Sequence, residues 1–216
     1  MSTILNETEV RVLGSLVEKQ LTTPEYYPLT MNALTAACNQ KSNRDPVMAL
    51  DDTAILAAVD SLRDRNLVYL YYGSTSRTVK YKHMLPNVFE LEPPATAIMA
   101  VLFLRGPQTL GEIRERTGRL YEFSGLGEVQ ETLDDLARRD EPLVVKLERQ
   151  PGQKEARFAH LFSGEIDVQK LSTATEKSGG PAANERLEKL EGEVERLGSE
   201  LSSFRELFDE FRKQFD

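Results

Sequence analysis

The sequence predicts an α+β protein, mainly α-helical with small β-hairpins, and three observations support this fold class. Apolar residues recur at helical spacing through most of the first 140 or so positions. Short runs rich in aromatic and β-branched residues interrupt this pattern twice. The order helix, helix, helix, hairpin occurs two times, with a period of about 75 residues. The repetition indicates one type of domain used twice.

The first repeat opens with Asn6, followed three residues later by a glutamate, which is the pattern of a helical N-cap with a capping box. Val10, Leu13, Leu16 and Val17 then follow at helical spacing. We expect two further helices and then two strands, over Thr30–Cys38, Asp52–Arg65, Leu67–Tyr72 and Thr78–His83.

The second repeat has the same order. Pro94 lies well in the first turn of a helix that ends near Arg105. A Thr-x-x-Glu capping box at Thr109 starts a short helix that ends near Gly118. The remaining elements are a third helix over Gly127–Arg139 and strands over Leu143–Leu147 and Ala156–Phe162.

Three helices followed by a two-stranded wing is the plan of the winged helix-turn-helix. The sequence therefore predicts a first winged-helix domain at residues 1–90 and a second at residues 91–163. The chain's two histidines, His83 and His160, fall at equivalent places in the two repeats. We expect both, and the single cysteine Cys38, to pack in the core and not to bind metal.

Residues 164–183 contain Gly, Pro, Ser and Thr with few apolar side chains, which predicts a flexible linker. Residues 184–216 then carry apolar side chains at alternating spacings of three and four, the pattern of a coiled coil. We expect this helix to join two copies of the chain, with docking on the protein's own body as the alternative. The predicted seam consists of Leu187, Leu190, Val194, Leu197, Leu201, Phe204, Phe208, Phe211 and Phe215.

A family resemblance rests on the run Ala37–Val47, with Thr23-Pro24 and Tyr27-Pro28-Leu29 before it and Tyr121–Ser124 and His160–Glu165 after it. With these motifs the sequence resembles the bacterial YceH-like proteins over residues 5–166. The resemblance implies a tandem winged-helix architecture with a terminal coiled coil. It implies no catalytic residue and no ligand.

The formal net charge of −8 is unevenly distributed. Residues 164–216 contain 8 Lys and Arg against 13 Asp and Glu, and so carry five of the eight negative charges. The first 163 residues are nearly neutral, which leaves room for local basic surfaces. The third helix of each repeat is acidic, however, and would repel phosphate in a standard major-groove complex.

Two polar segments are the candidate contacts to double-stranded DNA. One is the loop after the second helix, and the other is the first wing. The alternatives are that the loop residues brace a turn and that the wing is merely solvated. The candidate nucleic-acid-binding residues are Lys41, Asn43, Arg44, Arg77, Lys80 and Lys82.

Two further groups have structural interpretations. Arg114, Arg116 and Arg119 alternate with glutamates, which favours a solvated, salt-paired helix face. The tyrosines of the first hairpin have the right chemistry to stack on a base, but alternation on a strand favours core packing. These tyrosines are Tyr69, Tyr71, Tyr72 and Tyr81.

Enzyme signatures are missing: there is no Walker A loop, no GxGxxG, no HExxH and no GxSxG. We therefore expect a non-enzymatic protein without a cofactor. The N-terminus does not resemble a signal peptide and no apolar run is long enough to span a bilayer, so we expect a cytoplasmic protein without a membrane partner. The predicted function is an oligomeric DNA-binding or regulator-like protein. The alternative is a protein–protein interaction adaptor that does not bind DNA.

Overall fold

The computed structural model describes residues 4–73, 78–149, 155–164 and Arg196. The chain divides into two compact units, Met1–Ile166 and Asp167–Asp216, and all described residues except Arg196 lie in the first. Of the predicted coiled coil only Arg196 is described. All nine predicted seam residues lie outside the described residues, as does the predicted linker beyond residue 164. The described part is a mixed α and β structure with seven α-helices and two small antiparallel sheets.

The first half begins with a helix whose N-terminus is capped as predicted. The Asn6 side chain accepts a hydrogen bond from the Glu9 N–H (2.9 Å), and the Glu9 carboxylate accepts one from the Asn6 N–H (2.7 Å). These bonds satisfy two of the donors that a helix start leaves open. The elements are α1 (Glu7–Thr22), a 3₁₀ turn (Pro24–Tyr26), α2 (Met31–Cys38), α3 (Asp52–Asp64), β1 (Val68–Tyr72) and β2 (Val79–His83).

The second half contains the second predicted capping box. The Thr109 hydroxyl accepts from the Glu112 N–H (3.2 Å), and the Glu112 carboxylate accepts from the Thr109 N–H (2.9 Å). The short helix α4 and the two-residue strand β3 were not expected from the sequence pattern. The elements are α4 (Leu85–Phe89), α5 (Pro93–Arg105), β3 (Gln108–Thr109), α6 (Leu110–Thr117), α7 (Leu126–Ala137), β4 (Val144–Lys146) and β5 (Arg157–His160).

The two halves repeat each other in order and in register. His83 of β2 lies opposite Val68 of β1, and His160 of β5 lies opposite Val144 of β4. Each return strand also pairs with the segment just before its second helix. This pairing is a single bridge from Leu29 in the first half and the strand β3 in the second. The equivalence of the two histidines is therefore also present in the strand register.

The helices α1 and α5, which are the first helices of the two halves, pack directly against each other. Ten consecutive residues of α5, from Ala95 to Leu104, are buried. A Cβ atom built on Gly14 of α1 would lie 2.8 Å from the Cβ of Phe103, so only glycine fits at this position without movement. One apolar cluster includes side chains of both halves. The two repeats therefore share a single core.

Candidate functional site

Arg44, a predicted phosphate contact, is turned into the protein. Its guanidinium is fully buried and contacts the Glu18 carboxylate, with 2.6 Å between Nη2 and Oε2. The same guanidinium donates to the Ala37 carbonyl through Nε (3.1 Å) and Nη2 (2.9 Å). A buried, paired guanidinium presents no charge to a DNA backbone, so the prediction for Arg44 is wrong. Arg44 instead fixes the loop to α1 and to the end of α2.

Other polar groups brace the same loop. Arg11 donates to the carbonyls of Cys38 (3.1 Å) and Pro46 (2.6 Å). The Asn39 side chain donates to the Leu50 carbonyl (2.7 Å) and accepts from the Leu50 N–H (2.8 Å). These bonds satisfy main-chain groups that the loop would otherwise leave unpaired. The alternative interpretation, in which the loop's polar residues brace a turn, is correct for Asn39.

The remaining two predicted loop residues differ in exposure. Asn43 has a left-handed backbone (φ 58°), and its Oδ1 accepts a hydrogen bond from the Arg105 guanidinium of α5. Asn43 is thus engaged within the protein. Lys41 is exposed, and it is the one predicted loop cation that faces solvent in the described structure. The loop therefore contributes at most one positive charge to an outer surface.

The buried Glu18–Arg44 ion pair changes the pKa values of the groups around it. Burial alone would raise the pKa of Glu18, but the hydrogen bond and charge of Arg44 outweigh it, so the pKa lies below its ordinary 4.5. Nearby, burial and then the charge of Arg44 lower the pKa of Arg11. The ion pair is consequently a structural clamp between α1 and the loop.

The first hairpin presents a different arrangement, which alternates basic and aromatic side chains. Tyr69 pairs with Lys82 and Tyr71 pairs with Lys80 across the two strands, so all four side chains share one face. Tyr69 and Tyr71 are half exposed, at 49% and 48%, and Tyr72 at the end of β1 is 65% exposed. We call Tyr69, Tyr71, Lys80 and Lys82 the wing face. Tyr72 pairs with Val79 and lies on the other side of the hairpin, at its exposed end. Core packing was therefore the wrong interpretation for Tyr69, Tyr71 and Tyr72.

The opposite side of the hairpin is apolar and faces the core. Tyr81 is 7% exposed, as core packing predicted, and it pairs with Leu70 across the strands. Burial raises the pKa of the Tyr81 phenol. Arg77, the remaining predicted wing cation, lies outside the described residues.

The third helix of the first half is acidic on its outer face. In α3, Asp52 accepts from the Thr35 hydroxyl (2.6 Å), Asp60 pairs with Arg63 (2.8 Å), and Leu56 is 45% exposed. The sequence thus correctly indicated that α3 does not offer a basic surface.

In α7, the third helix of the second half, Glu128 binds the loop that precedes the helix. Its carboxylate accepts from the Ser124 N–H (2.8 Å) and from the Tyr121 hydroxyl (3.0 Å). The hydrogen bonds from Ser124 and then Tyr121 lower the pKa of Glu128. The carboxylate lies at the helix start, where the helix dipole favours negative charge.

The arginines around α6 are partly salt-paired, as expected. Arg116 contacts Glu112 (3.2 Å), and Arg157 of β5 contacts the same carboxylate (3.1 Å). Arg114 and Arg119 are both exposed. Their positions differ, however, because Arg119 lines a cleft with Arg105 and Arg116, whereas Arg114 does not.

His83 is buried in the core, and His160 is half-buried beside that core. His83 is 2% exposed, and burial followed by the charge of Lys82 lowers its pKa to about 4. His160 packs edge-on against Phe103, with 5.1 Å between ring centroids, and burial lowers its pKa to about 4. Cys38 is a buried free thiol whose pKa is raised by burial. Among the described residues, no cluster of His, Cys, Asp and Glu has the arrangement of a metal site.

Within the part of the chain that the structure describes, no helix is both long and apolar enough to cross a membrane.

The fold defines a class of α+β protein in which one unit of three helices and a hairpin occurs twice around a shared core. A family model described as "Protein of unknown function, DUF480" matches residues 5–153, and the chain belongs to this family. This result confirms the family resemblance of the sequence.

Full-length relatives support the same assignment. The chain is 48% identical over 224 residues to the UPF0502 protein of Geobacter sulfurreducens, with 100% of both chains covered. It is 50% identical over 220 residues to the UPF0502 protein of Geobacter metallireducens, again with 100% of both covered. It is 44% identical over 211 residues to the UPF0502 protein of Aliivibrio fischeri, with 95% of this chain and 97% of that protein covered.

Proposed function

We propose that the protein is a non-enzymatic winged-helix protein that binds double-stranded DNA through its first wing. The repeated order of three helices and an antiparallel hairpin supports the winged-helix part of this proposal. The family is described as one of unknown function, so membership in it indicates no activity. The proposal for DNA therefore rests on the surface of the hairpin.

The wing face carries the proposal because it combines positive charge with exposed aromatic rings. Lys80 and Lys82 lie opposite Tyr71 and Tyr69, so each ring has a lysine beside it on the same face. Lysine neutralises phosphate, and the tyrosine hydroxyl is a common hydrogen-bond donor to the DNA backbone. An ordinary solvated hairpin gains nothing from two half-exposed tyrosines on one face, because exposed aromatic area is unfavourable in water.

The acidic third helices determine how the DNA would approach. Asp52 and Asp60 on α3 repel phosphate, so we do not expect α3 to lie in the major groove. If the wing makes the contact with DNA, the carboxylates of Asp52 and Asp60 stay away from the DNA backbone. Recognition would then depend on backbone contacts and DNA shape more than on base edges.

The test measures binding of a fluorescent 20-base-pair duplex by anisotropy over a range of salt concentrations. In the double variant Lys80→Gln/Lys82→Gln, we expect affinity at low salt to fall at least about tenfold. The log–log salt slope should become shallower by about 1.8, or roughly 0.9 for each phosphate that is no longer neutralised. In Tyr71→Ala, affinity should fall while the salt slope stays unchanged, because no charge is removed.

A charge-matched control separates the wing from the overall charge of the protein. Arg63→Gln/Arg138→Gln also removes two positive charges, from exposed side chains of α3 and of the end of α7. This control should bind DNA as the native protein does. The absence of duplex binding at low salt, or an equal loss of affinity in the control, would refute the proposal.

A protein–protein adaptor is the second candidate, and the outer face of α3 favours it. Leu56 is 45% exposed beside Asp52 and Asp60, and protein interfaces commonly surround an apolar contact with a polar rim. The partner would carry a basic surface. If a single stoichiometric partner is captured by the native protein but not by Leu56→Asp, while duplex binding is absent, the adaptor function is correct.

We further propose that the chain self-associates through residues 184–216. The support is the seam pattern of the sequence, since the nine seam residues lie outside the described part of the structure. In the full-length chain, Leu197→Glu/Leu201→Glu places charge in the seam, and sedimentation velocity should then show a monomer. The control Ser199→Glu/Ser203→Glu adds the same charge outside the seam and should sediment like the native protein. A native monomer would contradict this proposal.

A further inference from the structure

A small cleft lies where the loop of the first half meets α5 and α6 of the second. Three arginines line it: Arg105 at the end of α5, Arg116 in α6 and Arg119 just after α6. Asn43 and Glu18 line the side formed by the first half, and the remaining lining is apolar. The cleft is remote in sequence from the wing face and shares no residue with it.

The one carboxylate that lines the cleft is already neutralised. Glu18 contacts Arg44 at 2.6 Å and Lys19 at 3.5 Å, so its charge is balanced by two cations of the protein. The carboxylate that pairs with Arg116, that of Glu112, is shared with Arg157. The three cleft arginines therefore leave a surplus of positive charge.

The pKa of Arg105 reflects the surplus of positive charge in the cleft. Burial first, and then the charge of Arg116, lower the pKa of the Arg105 guanidinium, and the carboxylates of Asp45 and Glu18 only partly offset this effect. Two like charges held close together in a partly buried place repel each other. An anion between them would relieve that repulsion and accept charge-assisted hydrogen bonds.

We propose that this cleft binds the phosphate group of a small phosphorylated ligand. Planar guanidinium groups bind pairs of phosphate oxygens in a bidentate geometry. The space enclosed by the cleft is about 20 Å³, enough for one water molecule, so a phosphate group would bind at its mouth, against the arginine side chains. None of the lining residues is aromatic, so the cleft does not hold a base by stacking.

Binding at this place would connect the two halves. Asn43 of the loop already accepts a hydrogen bond from Arg105, and the Asp45 N–H donates to the Leu104 carbonyl (2.9 Å). A phosphate on Arg105 and Arg119 adds a further link between the loop side and α6. The ligand therefore stabilises the folded protein to an extent that grows with its concentration.

The experiment titrates the full-length protein with inorganic phosphate and with pyrophosphate at constant ionic strength. Calorimetry measures affinity, and thermal unfolding reports the stabilisation. We expect saturable binding with about one site per chain, and an increase in the melting temperature. Arg119→Ala should weaken binding by about tenfold or more, which corresponds to one charge-assisted hydrogen bond.

The control is Arg114→Ala, because Arg114 is an exposed arginine of α6 that does not line the cleft. It removes the same charge and should leave the affinity unchanged. Arg105→Lys tests the bidentate requirement and should also weaken binding. The proposal is overturned if neither anion binds saturably, or if Arg114→Ala weakens binding as much as Arg119→Ala does.

The result is independent of DNA binding by the wing. Lys80→Gln/Lys82→Gln should bind phosphate normally, and Arg119→Ala should retain the duplex affinity of the native protein. If Arg119→Ala weakens binding of both phosphate and duplex, the cleft is a DNA-backbone contact and the small-ligand proposal fails.

Discussion

Substituting Gly14 with alanine tests the close packing of α1 on α5. The new Cβ would lie 2.8 Å from the Cβ of Phe103 and 3.1 Å from two side-chain atoms of Leu104. The Phe103 Cβ is fixed to the α5 backbone, so the helices themselves must move apart. Overpacking of this kind costs about 1–3 kcal/mol, and the higher helix propensity of alanine returns up to about 1 kcal/mol. We expect a net loss of about 1–2 kcal/mol in the free energy of unfolding.

For a protein of this size the loss corresponds to a decrease in melting temperature of about 2–8 °C. Circular dichroism or calorimetry at neutral pH measures it. The control is Gly127→Ala in α7, where a new Cβ meets nothing within 4 Å. This control should be neutral or slightly stabilising. A melting temperature for Gly14→Ala at or above the native value would show that the contact between the two helices is not tight.

The remaining predictions concern buried charge and acid stability. Glu18→Gln leaves the Arg44 guanidinium buried without a carboxylate, and urea titration should show a loss of about 3–5 kcal/mol. Asp60→Asn, at an exposed ion pair, should stay within about 0.5 kcal/mol of the native protein. The pKa of His160 is about 4 in the folded protein against 6.5 ordinarily, so folded His160 binds fewer protons than unfolded His160. The contribution of His160 to the free energy of unfolding is fully present above pH 6.5. It is lost as the pH falls toward 4, by up to about 1.4 kcal/mol per pH unit. The stabilising contribution of the Glu18 carboxylate is lost at lower pH, as the pH falls below 4.5. The acid limb of the stability curve should be shallower in His160→Phe, and an unchanged slope would contradict the assignment of a depressed pKa.

The elements of the fold were largely predictable, because their signals are local. The capping boxes at Asn6 and Thr109, the stripe of α3 and the alternation of β1 and β2 each lie within a few residues. The two-residue strand β3 was missed because its partner, β5, is about 50 residues away. A pairing over that distance leaves no periodic pattern in the sequence.

The candidate site was less predictable than the fold. The loop residue Arg44 has the chemistry of a phosphate contact, but its partner Glu18 is 26 residues earlier in the chain. Nothing in the local sequence distinguishes a buried arginine from an exposed one. The exposure of Tyr69 and Tyr71 was missed for a related reason. Strand alternation separates two faces but does not say that the outer one carries the tyrosines.

The close contact of Gly14 with α5 determines whether the chain can be divided into its two halves. The two repeats do not have separate hydrophobic cores, because α5 is buried along almost its whole length and α1 covers part of it. Cutting the chain near residue 90, between α4 and α5, would expose both helix faces to water. We therefore expect the duplicated halves to unfold together as one cooperative unit. A destabilising substitution in either half should then lower the population of the folded hairpin and of the folded cleft together.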